Sequence, residues 1–208
     1  LTGFVITSYD VSPDEDEVIL AASAQNAKSE IWIASLDHDA PPRRLAASHH
    51  DSPFFGPDGQ VIFRRSEETK NYLYRIRKDG SGLQRVMDRP ISTVFSNSPD
   101  GRWAAALAPN PDGGTFATTL AIPTSGGAPI RVCAGFCMTQ WSSDGKFLHI
   151  ALGTVSRRHD KGAAFAFPIP QGKFMPGFPP SGLASAEEAA ALPNVHRLDA
   201  VGTIPGHA

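Results

Sequence analysis

A chain of 208 residues with 41% hydrophobic side chains carries enough apolar mass for a buried core. Its 19 lysines and arginines are outweighed by 21 aspartates and glutamates, a formal net charge of −2, which leaves no basic excess for a nucleic-acid partner. The longest uninterrupted apolar run, Trp103 to Ala108, stops at Pro109, far short of the roughly 20 residues that span a bilayer, so the chain predicts no membrane insertion of its own.

Read in order, the elements are short strands separated by turns. Leu1-Thr2 reads as the end of an outer strand from a preceding unit, and Phe4 to Val11 as a first, innermost strand. The turn Ser12-Pro13-Asp14-Glu15 follows, then Val18-Ile19-Leu20, Ile31-Trp32-Ile33 and Arg43-Arg44-Leu45. Phe54-Phe55 opens a second set through Gly56-Pro57-Asp58-Gly59, Val61-Ile62-Phe63, a polar loop over Arg65 to Asn71, Tyr72 to Ile76, the turn Lys78 to Gly82, and Leu83 to Val86. A third set runs through Ser98-Pro99-Asp100-Gly101 into Trp103 to Leu107, Thr119 to Ile122 and Ile130-Arg131-Val132. The fourth, through Ser142-Ser143-Asp144-Gly145, Phe147 to Ile150 and Phe165 to Phe167, weakens towards its end. The turn aspartates are spaced 44, 42 and 44 residues apart (58 − 14, 100 − 58, 144 − 100), inside the range of roughly 40 to 50 residues found for propeller blades.

The turn has a chemical logic. Proline presets φ, aspartate accepts from nearby amides, and the glycines Gly59, Gly101 and Gly145 take the positive φ that closes the hairpin. Val, Ile, Phe, Trp and Tyr between Gly, Pro and Asp clusters, with no sustained helical period, specify an all-β chain. The reading is a β-propeller of about four four-stranded antiparallel blades, with repeats over about 9–50, 51–90, 91–136 and 137–176. Propellers close with about four to eight blades, so four is the low limit for closure, and the array is expected to be part of a larger propeller or an open blade array in preference to a compact four-bladed ring. Residues 177–208 form a Pro- and Gly-rich C-terminal segment in which Ser185 and Glu188 make a capping box for a short helix over 186–192, stopped by Pro193.

The Ser-Pro-Asp-Gly turn, an apolar strand, then Ile-Trp or Leu-Tyr and an Asp-Gly turn together resemble the TolB-type (PD40) β-propeller repeat over about residues 8–176. Propellers of that kind occur in TolB-like periplasmic scaffolds, beside the catalytic domains of prolyl-oligopeptidase-like peptidases, and behind bacterial transcriptional regulators and receptor-type serine/threonine kinases. The segment from Pro179 resembles the end region of the kinase-attached propellers. That resemblance implies one more strand to close the last blade, and the sequence to Ala208 is expected to lack it. Its functional implication is a sensor or protein-interaction module of a larger bacterial signalling protein, against a periplasmic scaffold or a substrate gate of a peptidase. A widely shared fold does not choose among these.

No catalytic motif stands in the chain. There is no Gly-x-Ser-x-Gly elbow, phosphate loop, His-Glu-x-x-His or kinase signature, and no cofactor is expected. Cys133 and Cys137 flank Ala134-Gly135-Phe136, so a disulfide, two free thiols and a metal site all stay open, the first implying an oxidising compartment. Loops on one end of the blades are expected to gather His49, His50, Asp51, Arg65, Glu67, Glu68, Lys70, Arg89, Arg157, Arg158, His159 and Asp160. Within that set Arg157-Arg158-His159 is the sharpest candidate for an acidic peptide or an anionic small ligand, because arginine forks match carboxylates. Trp32, Trp103 and Trp141 are expected in the core between blades, and Tyr72 and Tyr74 on one strand face against the neighbouring blade.

Overall fold

The computed structural model describes residues 3–25, 27–37, 40–47, 49–110, 117–152, 163–169, 178–179 and 182–198. These form four antiparallel sheets of four strands, each with its strands in chain order. The first sheet holds β1 (Phe4–Val11), β2 (Glu17–Ala24), β3 (Glu30–Ser35) and β4 (Arg43–Ala46). The second holds β5 (His50–Phe55), β6 (Gln60–Glu67), β7 (Lys70–Arg77) and β8 (Gln84–Arg85), and the third β9 (Thr93–Asn97), β10 (Trp103–Ala108), β11 (Thr118–Pro123) and β12 (Ile130–Arg131). The fourth holds β13 (Met138–Trp141), β14 (Phe147–Leu152), β15 (Ala163–Pro168) and β16 (His196–Arg197). The described residues fall into two units: those up to Val94 with Asp100–Arg102 and Pro123–Gly127, and the remainder.

Three of the four turns, those after β1, β9 and β13, share one construction. Ser12, Ser98 and Ser142 each accept, through Oγ, the amide of the residue five places on, at 3.0, 3.0 and 2.9 Å. Asp100 and Asp144 accept the amides of Arg102 and Lys146 at 3.1 and 3.0 Å. Gly59, Gly101 and Gly145 sit at φ of 68°, 67° and 69°, and Glu15 takes the same conformation at 62° without the freedom of glycine. Gly56 lacks the serine hydroxyl and its turn is one residue tighter, its amide bonding the Gln60 carbonyl at 2.8 Å.

In the first unit the core lies between the first two sheets. Residues two apart share a strand face, so Ile19 and Ala21 on β2 join Ile31 and Ile33 on β3, and these pack against Phe55, Val61, Phe63, Tyr74 and Ile76 of the second sheet. Each such aliphatic or aromatic burial contributes about 1.5–3 kcal/mol. The innermost strands are stitched by side chains: Asp10 Oδ2 accepts the Phe55 amide at 2.8 Å and Ser8 Oγ the Ser52 amide at 3.2 Å. Burial raises the Asp10 carboxyl pKa, and the amide it accepts from Phe55 opposes that rise.

In the second unit Trp141, Leu148, Ile150, Phe165 and Phe167 meet Ala121 and Val132, with Trp103 half-buried beside them. Helix α1 (Ala186–Ala191) starts at the expected cap, Ser185 Oγ accepting the Glu188 amide at 3.2 Å and Glu188 accepting the Ala184 amide at 2.7 Å. It buries Ala189 in the same core.

Three expectations change. The fourth sheet does have its fourth strand: His196–Arg197 pairs with Ala166 and Phe165, and the Leu198 amide bonds the Ala164 carbonyl at 2.8 Å. This repeats the bonds from Val86 to Leu73 and from Val132 to Thr119, both 2.9 Å. A two-residue strand displays no period, and here it follows the helix instead of preceding it. The polar stretch Arg65 to Asn71 is not a loop, since β6 and β7 pair without a break to Glu67↔Lys70 and leave a two-residue turn. Its charged side chains sit on a strand because the sheet extends past the core. Trp32 is not between the two blades of its unit; it lies on the other face of the first sheet, edge-on to Phe4 at 5.7 Å.

Candidate binding surface of the second blade

The β6–β7 hairpin carries a connected group of side chains. Cross-strand pairing sets Tyr74 opposite Arg85 and Arg65 opposite Tyr72, and the pleat brings these to the face that holds Glu67. Tyr74 donates its hydroxyl to Glu67 Oε1, and Arg85 donates through Nη2 to Glu67 Oε2. Arg85 Nε also donates to the Tyr74 oxygen at 3.0 Å, and its guanidinium carbon stands 4.0 Å from the centre of the Tyr72 ring. Arg65 lies 5.1 Å from the Tyr74 centroid with Nε 3.8 Å from Glu67. The Tyr74 hydroxyl, and then Arg85, hold the Glu67 carboxyl below the usual carboxylate range. Burial, reinforced by Glu67, pushes the Tyr74 phenol up. The Tyr74 oxygen and Glu67 keep the Arg85 guanidinium charged.

Glu67, Glu68, Thr69, Lys70, Tyr72 and Arg85 line a cleft of about 230 Å³. Glu68 turns the hairpin in the left-handed region at φ 51°. The cleft has two cationic heads, two carboxylates and an aromatic face, with the Arg85 fork already oriented. That set suits a peptide carrying acidic and aromatic groups.

Several expected residues converge here. The His49 carbonyl accepts the Ser66 amide at 2.9 Å, and the Ile91 amide bonds the Asn71 carbonyl at 2.8 Å, bringing His49 and the segment after Arg89 to this hairpin end. Arg65, Glu67, Glu68 and Lys70 belong to it directly. His50 does not. It is 3% exposed and edge-on to Phe63 at 4.9 Å, so it is a core side chain rather than a presented one. Its Nδ1 has no partner, and burial, with Arg65 nearby, lowers its pKa to about 4. The reason is register: His50 opens β5 opposite Arg65 on the face covered by the first blade. Asp51 points instead to Arg64, accepting from its Nε at 2.7 Å. Arg157, Arg158, His159 and Asp160 lie outside the described residues.

Cys133 and Cys137 are disulfide-bonded and 1% exposed. Their loop is held by Thr119, whose Oγ1 donates to the Cys137 carbonyl at 3.1 Å and accepts its amide at 3.2 Å. Leu183 bridges to Cys133 in parallel, so the C-terminal segment is docked on this loop. Among the described residues no three His, Cys, Asp or Glu side chains are grouped to hold a metal, and no helix is long and apolar enough to cross a membrane.

The sequence reading missed Arg85 as the organiser of the cleft. Its signal is an arginine followed by an aliphatic residue at the end of every repeat: Arg44-Leu45, Arg85-Val86, Arg131-Val132 and Arg197-Leu198. Arg44 reaches Glu30 at 3.0 Å, and Arg131 reaches Thr118 and Asn110 at 3.1 and 3.2 Å. In the first three blades the outer-strand arginine thus ties down its own sheet.

No protein-family model matches the sequence, and no curated protein matches it. Solved structures do. TolB from Acinetobacter baumannii is 16% identical, with a TM-score of 0.62 over 81% of this chain and 42% of that one. The chain carries a β-propeller fold. Oligogalacturonate lyase from Vibrio parahaemolyticus is 11% identical at a TM-score of 0.61 over 84% of this chain and 54% of that one. The β-propeller domain of the Trilobed protease from Pyrococcus furiosus is 13% identical at 0.55, over 79% and 55%. The chain therefore spans about half the length of these propellers, and at such identities the likeness speaks for the fold alone.

Proposed function

We propose that this propeller is a non-catalytic interaction module that binds a protein or peptide through the β6–β7 end of its second blade, within a larger bacterial signalling protein. The observation that carries this reading is the Glu67–Tyr74–Arg85–Tyr72 group, a set of oriented charged and aromatic side chains beside a cleft, on a rigid sheet. The lack of any nucleophile elbow or kinase signature in the sequence supports the non-catalytic part, and the resemblance of the C-terminal segment supports the signalling part. A disulfide in the core agrees with an oxidising compartment.

The test is capture of partners from envelope and cytosolic extracts by the native chain and by a Lys70→Glu/Tyr72→Ser variant, followed by titration calorimetry with each identified partner. Binding that the variant loses while its melting temperature is kept supports the module. Binding indifferent to the variant moves the site elsewhere. A hydrolase partner seated on the propeller would favour a peptidase gate, and an envelope scaffold complex a TolB-like role.

A further inference from the structure

We infer that the opposite end of the second blade holds a site for a small tetrahedral oxyanion, a phosphate ion or the phosphate of a monoester, in a cavity lined by Gln60, Arg75, Arg77, Gly82 and Gln84. Its volume is about 180 Å³, below the roughly 300 Å³ at which pockets for drug-sized ligands begin, so it suits a charged group and little more. Gln60 and Glu67 stand at the two ends of β6, roughly 23 Å apart at about 3.3 Å per residue, so this cavity and the β6–β7 cleft are separate places.

Strand register builds the site. Gln60 pairs with Arg77, Ile62 with Arg75, and Arg75 with Gln84. Directly paired residues share a face, so both arginines and both glutamines stand on the side opposite Val61, Phe63, Tyr74 and Ile76, which pack on the first blade. Neutral oxygens hold the Arg75 guanidinium: Nη1 donates to the Ser125 and Thr124 carbonyls at 2.7 and 3.3 Å, and the Gln84 amide oxygen accepts from Nε and Nη2. The Gln84 amide nitrogen is thereby left as a donor beside an oriented cation. Arg77 lies along the turn over 78–82, with Nη1 donating to Ser81 Oγ at 3.3 Å. The missing side chain of Gly82 makes room for it, since a Cβ there would stand 3.0 Å from the same nitrogen. Asp79, the carboxylate of that turn, accepts the Ser81 amide at 2.8 Å.

Two comparisons set this pair apart. Among the described residues Arg44, Arg64, Arg65, Arg85 and Arg102 each reach a carboxylate, whereas Arg75 and Arg77 reach none. The repeat does not ask for them either. Their register positions hold Ile33 and Ser35 in the first blade and Ala166 and Pro168 in the fourth. Two guanidinium charges with no carboxylate in the wall match the two charges of a phosphate, and the planar forks grip its oxygens in pairs.

The test is calorimetric titration of the 208-residue chain with inorganic phosphate, O-phosphoserine and acetate at fixed ionic strength. The expected result is saturable binding of phosphate and phosphoserine that Arg77→Gln weakens by about tenfold or more, with acetate weaker by a similar factor. Either order of the two phosphates supports the site, a tighter phosphoserine marking a monoester ligand and a tighter inorganic phosphate the free ion. Arg44→Gln on the first blade and the Lys70→Glu/Tyr72→Ser variant of the cleft should keep the native phosphate affinity. Should Arg77→Gln fold poorly, the backbone amide resonances of Gly82 and Gln84 in the native chain decide, shifting as phosphate is added. No saturation by phosphate at up to about 10 mM overturns the proposal. So does acetate binding as tightly as phosphate, or an Arg77→Gln chain that folds and binds like the native one. Phosphate binding lost in the Lys70→Glu/Tyr72→Ser variant overturns it as well, by placing the anion in the β6–β7 cleft.

Discussion

The first and second blades follow the same strand order and the same register, yet they invert the usual relation between polarity and exposure. Ile6 is 52% exposed, and its register equivalent His50 is 3% exposed. A histidine sits in the core and an isoleucine in water because burial is decided by what packs on a face, and the first blade covers the second blade's face while its own equivalent face is bare. Side-chain chemistry sets the cost of that arrangement, not the arrangement itself.

The largest test of the comparison lies in the turns. Gly59 and Gly101 share a φ near 68°, but a Cβ at Gly101 would lie 2.3 Å from the Phe55 carbonyl oxygen and 2.7 Å from the Gly56 Cα, whereas one at Gly59 meets nothing within 4 Å. Gly59→Val is expected to cost about 1–2 kcal/mol of backbone strain. Gly101→Val adds a clash with backbone that cannot rotate away, for a total of about 3–5 kcal/mol. Urea midpoints of the two variants would measure the gap. Equal losses would mean that the third blade's turn does not rest on the second blade.

His50 comes next. Its folded pKa of about 4 lies below the unfolded 6.5, so the unfolded chain takes up the proton first. Stability from this site is whole above about pH 6.5 and falls by about 3 kcal/mol as the pH drops to 4. His50→Phe should flatten that part of the pH profile, read from midpoints at several pH values. An unchanged acid slope would place His50 in water like Ile6.

A smaller effect belongs to the cleft. Ala24 of the first blade occupies the register position of Glu67, and there Arg44 turns to Glu30 instead. Glu67→Gln weakens two charge-assisted hydrogen bonds for a loss of about 1 kcal/mol and should lower the Tyr74 pKa, followed by absorbance titration near 295 nm. The smallest effect is expected at the bare face, where Ile6→Lys in the 208-residue chain should change stability by no more than about 0.5 kcal/mol. A loss as large as that of a core residue would mean that the face is already covered.

Much of the architecture was legible before the structure. The turn period, the strand composition and the capping box at Ser185 are local signals, and each is matched by strands, turns and a helix at those places. Three outer strands were legible at Arg43 to Leu45, Leu83 to Val86 and Ile130 to Val132, but β16 was not, because two residues carry no period and it is recognisable only by the Arg197-Leu198 pattern it shares with Arg85-Val86 and Arg131-Val132. The candidate surface was half legible. His49, Arg65, Glu67, Glu68 and Lys70 were grouped from topology, but His50 was placed in water because a loop of polar residues gives no hint of the sheet face that covers it. Arg85 was overlooked because its three contacts come from residues 67, 72 and 74, on other strands.

By itself, then, the sequence determined the repeat: Ser-Pro-Asp-Gly turns at a constant step and apolar strands between them, since φ preferences and side-chain alternation act over a few residues. Only the tertiary structure decided which face of each sheet is covered, which of several equal glycines is pressed against a neighbouring backbone, and which carboxylate an outer-strand arginine reaches. Those outcomes depend on contacts between residues tens of positions apart, and no local preference encodes them.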